Sequence, residues 1–159
     1  MMKFIRVAFI SLFAVFLLIQ LVPYGRDHTN PSHDVEPRWD KPGTRALAKR
    51  ACFDCHSNHT VWPWYSHVAP ASCLVQRDVD GGRHEMNFSE WDKPQDEADH
   101  AARMVSRGKM PLSQYLLVHP EARLDTAERD SLVSGLTTTI RADPGGSTKK
   151  PVYRDDFGQ

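Results

Sequence analysis

The sequence predicts an all-α chain: a small domain of short helices and long loops, preceded by one membrane-length helix. Three observations lead there. Residues 7–22 are almost continuously apolar, eleven prolines and nine glycines interrupt the chain, and good helix formers fill the segments between breaks. A chain of 159 residues suits one domain with appendages. A domain of that size buries a limited core unaided. Twenty basic and twenty acidic side chains cancel, which leaves no electrostatic footprint for a nucleic-acid partner.

The first element is the apolar run over residues 7–22, entered through Lys3 and Arg6. Its sixteen residues span about 24 Å at ~1.5 Å per residue, slightly less than a hydrocarbon core, and Phe4 and Ile5 lengthen it if Arg6 snorkels. No small-x-small cleavage site succeeds the run, and it holds no cysteine for lipidation, so an uncleaved anchor is favoured over a removed signal. Lys3 and Arg6 keep the N-terminus in the cytoplasm, which exports the rest. Residues 1–24 are thus assigned as a signal-anchor helix. Residues 25–42, broken by Pro31, Pro37 and Pro42, read as an extended tether or a strap over the domain. His28 and His33 within them are expected to be solvated loop residues.

A helix is expected over residues 44–51, with Leu47 and Ala51 on one face. It delivers Cys52-Phe53-Asp54-Cys55-His56. Two thiols spaced C-x-x-C and followed at once by histidine form a c-type haem attachment motif. Each cysteine can form a thioether to one vinyl group, and His56 then lies under the iron as a neutral imidazole ligand. A redox C-x-x-C pair would expect a βαβ surround, and a zinc half-site would expect a second ligand pair; neither pattern is present. Cys73 is the only other cysteine, so a disulfide framework is excluded. Haem packed inside the domain would add the apolar surface that a small core lacks.

Trp62, Trp64 and Tyr65 come soon after, with Pro63 holding the segment extended. They are expected to wall the haem pocket and offer N–H or O–H groups to the propionates; ordinary core rings are the competing reading. Residues 70–80 read as a helix stopped by Gly81-Gly82, with Val75 and Val79 on its buried stripe and Cys73 as a small buried hydrophobe.

Taken in order, Cys52-x-Asp-Cys-His-Ser-Asn58, Pro63-Trp-Tyr-Ser66, Ala69-Pro-x-Ser72, Gly82-Arg83 and Asn87-Phe-Ser-x-Trp91 resemble the bacterial haem-binding domain family of exported single-haem c-type proteins. The likeness runs from about Arg26 to about Leu136 and includes the preceding apolar segment. It implies a cytochrome c-like domain around one covalently attached haem c, placed here at residues 43–140.

The second axial ligand is sought further along. Residues 94–107 read as a helix with Met104 and Val105 buried, and Gly108 ends it. Pro111 biases Met110 out of helical geometry, so its thioether can project from a loop. The resemblance implies the same, because a Met-Pro loop between two helices supplies the distal ligand in that family and in class I cytochromes c. Methionine opposite histidine raises a haem potential and suits electron transfer. Met86, Met104, His59, His67, His84, His100 and His119 are the rivals. The stretch 116–120 looks buried. Asp125 and Glu128 approximate a capping box for a helix running to about Leu136, expected to pack on the helix before Cys52. Residues 141–159 read as a flexible tail.

These features are best read as an electron carrier, not an enzyme, with its haem domain in the periplasm at the bacterial inner membrane. Its partner would be a redox protein or a respiratory or photosynthetic membrane complex, of which it could be a subunit. A haem-based sensor of small ligands and a peroxidase-like enzyme are the alternatives. The last lacks both a second C-x-x-C-H and an evident distal acid–base pair.

Overall fold

The computed structural model describes residues 1–146. Among the described residues there are seven α-helices: α1 Met2–Ile19, α2 Pro42–Ala51, α3 Phe53–His56, α4 Ala71–Glu85, α5 Ala101–Ser106, α6 Ser113–Val118 and α7 Thr126–Ala142. Short 3₁₀ turns fill Trp64–His67, Ala98–His100 and Pro120–Ala122. Among the described residues there is no strand, only an isolated bridge between Val35 and Glu90. The all-α expectation holds.

Helix α1 begins at Met2, takes in Lys3 and Arg6, and buries no residue. Its 18 residues rise about 27 Å, long and apolar enough to cross a membrane or to serve as a signal sequence. It stops at Ile19, short of the Val22 expected from composition.

The core forms where α7 crosses α2 and α5. Leu132, Leu136 and Ile140 of α7 meet Ala48, Ala102 and Val105, with Phe53, Phe88 and Trp91 stacked beside them. The crossing of α2 and α7 depends on Gly135, because a Cβ there would lie 2.1 Å from Thr44 Oγ1. The capping box is present: Asp125 Oδ1 accepts from Glu128 N at 2.8 Å, and Glu128 Oε2 accepts from Asp125 N at 3.1 Å. Glu128 also meets Arg50 at 2.6 Å, which ties the start of α7 to the end of α2.

Of the two forms expected of residues 25–42, the structure has the strap; several other expectations are corrected. Val35 N donates to Ser89 O and Trp91 N to Val35 O, while Trp39 packs on the core and donates to Glu36. Helix α4 runs through Gly81-Gly82 to Glu85. The helix expected from Pro94 begins only at Ala98, because Gln95 is held by Asn87 N and Glu90 O instead of joining a helix. Met104 is not buried but 36% exposed. The stretch 116–120 is not buried as a unit: Leu117 is 77% exposed, since α6 lies on the surface. Helix α7 continues past Leu136 to Ala142. Beyond it, Asp143 O accepts from Trp91 Nε1 and Gly146 N donates to Trp91 O, so residues 143–146 are docked. The remainder of the expected tail, 147–159, lies outside the described residues.

Candidate functional site

Helix α2 ends where the attachment motif begins, and the two helices nearly merge: Cys52 N bonds Ala48 O and His56 N bonds Cys52 O. Phe53 turns into the core, and Cys52 packs against the same cluster. Cys52 and His56 line both of two adjoining cavities of about 230 and 280 Å³, which share Ala51, Cys52, His56, Glu85, Met110 and Pro111, and Cys55 lines the first. Together they fall in the ~300–1,000 Å³ range of small-molecule sites.

Helix α4 is pressed against this turn. Gly82 makes the approach possible, because a Cβ there would sit 2.4 Å from the Cys55 carbonyl oxygen. The next residue, Arg83, donates to Ser57 O, Thr29 O, Asn30 Oδ1 and Thr60 Oγ1, so one guanidinium joins α4, the strap and the turn after His56. The chain leaving α4 completes the cradle. Phe88 N donates to His56 O at 2.8 Å, Asn87 Nδ2 to Asn58 Oδ1, and Asn58 N to Ser89 Oγ.

The protonation states suit ligation. Burial holds His56 below its ordinary pKa, so the ring is neutral at pH 7. Its Nδ1 lies 3.1 Å from Met86 O. A carbonyl only accepts, so Nδ1 carries the proton and Nε2 keeps the lone pair that a metal ligand needs. Burial, reinforced by Cys55, pushes the Cys52 thiol up to about 12; burial, reinforced by Asp54 and Asp78, does the same for Cys55. Both sulfurs are protonated at neutral pH, unlike the low-pKa thiol of a redox pair. Among the described residues no three His, Cys, Asp or Glu side chains gather as a metal cluster.

Opposite this turn, Gly108 adopts φ +64° and ends α5, and Met110 N returns to Met104 O at 3.2 Å. That reversal brings Met110-Pro111 onto the cavities. Of the candidate second ligands, Met110 is the only one that lines both; Met86, Met104 and His100 line one. The others are engaged elsewhere or apart from the cavities. His59 meets Asp34, His67 packs on His28, His84 is on the surface, and His119 lies between Tyr65 and Glu121.

Trp62, Trp64 and Tyr65 do not wall either cavity. Trp62 stacks on His28 at 4.5 Å, Trp64 is 79% exposed, and the Tyr65 hydroxyl bonds His119. Tyr115 and Phe88 take the place expected of them. Phe88 belongs to one of the motifs already singled out, but Tyr115 carries no sequence signal beyond its nearness to Met110.

Tyr115 also positions the Met110 loop. Its hydroxyl donates to Asp54 Oδ2 at 2.7 Å, inside the attachment motif, and its ring stacks on His119 at 4.2 Å. Burial and the Asp54 partner drive the phenol's pKa far up, so it stays a donor. Tyr115→Phe is expected to lose about 1.5–3 kcal/mol, the range for a hydrogen bond to a charged group. Denaturant unfolding checks the loss; an unchanged midpoint would mean that the latch does not form.

The donor set fits a haem: a neutral imidazole and a thioether border one apolar cavity, with two thiols beside them. A family model described as a haem-binding domain matches residues 14–138, more than half of the chain. Neither the curated proteins nor the solved structures give a match. The cavity between the His56 turn and the Met110 loop therefore lies within the matched region, and the chain belongs to the haem-binding domain family.

Proposed function

We propose that this chain is a membrane-anchored single-haem c-type cytochrome carrying single electrons on the periplasmic side of a bacterial inner membrane. Cys52 and Cys55 would hold the haem through thioethers, with His56 and Met110 as axial ligands. When bound, the group supplies an iron that cycles between two oxidation states. The chain's part would be to hold the iron through His56 and Met110, surround the ring with apolar side chains, and keep water out. Such burial disfavours the extra charge of the ferric state and raises the potential. With His56 and Met110 both held by the iron, no substrate would need to reach it, which would favour electron carriage over catalysis. A redox protein or a larger membrane complex that takes the chain as a subunit would be the partner.

The observation that carries this reading is that both motif thiols, neutral His56 and Met110 line one shared space. The test is spectroscopic. Haem should stay with the polypeptide through denaturation and acid extraction. The ferric protein should be six-coordinate and low-spin, with the red methionine–iron charge-transfer band. Met110→Ala should abolish that band and leave the haem attached. An unchanged spectrum in Met110→Ala would overturn the ligand. High-spin wild-type iron that readily binds carbon monoxide would replace the carrier with a sensor or an enzyme.

A further inference from the structure

We infer that the haem domain rests on the lipid surface through one face, built by Val68 and Leu74 beside the end of α1, instead of swinging on a tether. The inference rests on the membrane-anchor reading of α1 and goes beyond it, because an anchor alone fixes no orientation.

The first observation is a linker without slack. The Gln20 side chain grips one residue's backbone from both sides: Nε2 donates to Ala69 O and Oε1 accepts from Ala69 N, each at 3.0 Å. Further on, buried Gly25 is locked against α4. Its φ is +87°, and a Cβ there would lie 2.7 Å from the Ser72 carbonyl carbon. Between these points Cys73 Sγ donates to Tyr24 O at 3.5 Å, and Tyr24 Oη reaches Asp80 at 3.4 Å. Arg26 covers the open carbonyls of Gln20 and Val22. The end of α1 and the start of α4 therefore move together.

The second observation is what surrounds that joint. Val68 and Leu74 flank the residues bonded to Gln20 and Tyr24, yet they are 37% and 57% exposed. Leu21 and Val22 are also open to solvent, and Trp64 lies one turn before Val68. No polar residue stands between Ser11 and Gln20, so Gln20 marks the outer boundary of the apolar span. Val68 and Pro70 adjoin its partner Ala69 and fall inside the ~5–8 Å interfacial zone on that side of the bilayer, and Leu74 stands one turn of α4 beyond, its N bonded to Pro70 O. Tryptophan and aliphatic side chains are suited to that zone. Continuity with the apolar surface of α1 selects lipid as the occupant. The exposed pair Leu117 and Val118 sits on α6, which meets the 64–67 turn through His119 and Tyr65, and serves as the comparison.

The test uses the full chain in phosphatidylcholine liposomes that contain a photoactivatable phosphatidylcholine. Mass spectrometry should find lipid adducts on α1 and on the 61–74 peptide, and none on α6. Val68→Glu with Leu74→Glu should remove the 61–74 adducts and keep those on α1. In oriented bilayers the haem absorption should be dichroic, and the same double variant should lose that dichroism. Adducts on α1 without any over 61–74 overturn the resting face and leave the anchor standing. Equal labelling of α6 overturns a single orientation. A chain that fails to float with the liposomes overturns both the face and the anchor.

Discussion

Gly82→Ala is expected to destabilise the domain by about 1–2 kcal/mol net and to sharply reduce the haem held per chain. The added methyl would lie 2.4 Å from the Cys55 oxygen, 2.8 Å from its carbonyl carbon and 2.9 Å from its Cβ. Two of those three atoms are backbone, and the turn they belong to is fixed by hydrogen bonds from Cys55 N and His56 N to Cys52 O. No side chain can rotate out of the way, so α4 must separate from α3. Overpacking of this kind costs about 1–3 kcal/mol or more, against at most ~1 kcal/mol gained from alanine's helix propensity. The neighbouring glycine supplies the control. A Cβ on Gly81 meets nothing within 4 Å, so Gly81→Ala should stabilise α4 by up to ~1 kcal/mol. Thermal unfolding separates them: each kcal/mol moves the midpoint of a domain this size by about 4–8 °C. Equal midpoints for the two variants would mean that α4 does not approach the turn at residues 52–56.

The same glycine pair shows where sequence reasoning stops. Two adjacent glycines read as a helix stop from local propensity alone, yet here one is open and the other is a contact surface for the carbonyl of Cys55, far earlier in the chain. Local chemistry was legible wherever it is local in the fold: the spacing of Cys52, Cys55 and His56, the Asp125 and Glu128 cap, and the Met110-Pro111 turn. Which rings border the cavity was not legible, because that depends on how α4 and α6 fold back. Trp62 and Trp64 are near His56 in the chain but lie off the cavity, whereas Phe88 and Tyr115 are distant in the chain and line it. The surface position of Leu117 was hidden for a related reason. A short apolar run looks alike whether the fold covers it or leaves it out.

Phe88→Ala is expected to cost about 3–5 kcal/mol, the range for a fully buried aromatic, and to lower the reduction potential of the proposed haem. Phe88 is fully buried and central to its cluster, with Phe53 at 5.4 Å, Trp91 at 5.7 Å and Trp39 at 5.1 Å between ring centroids. Its removal therefore unsupports the strap through Trp39 and the docked residues after α7 through Trp91. It also borders the cavity together with His56 and Met86. Opening that wall lets water approach the iron, and water favours the more highly charged ferric state. Phe88→Leu keeps most of the volume and should cost less than about 1.5 kcal/mol with a smaller change in potential. The two measurements decide between roles. Stability and potential should fall together across the Leu and Ala variants. A large stability loss at constant potential would make Phe88 a packing residue only, with the cavity kept dry by Met86 and Val105 behind it.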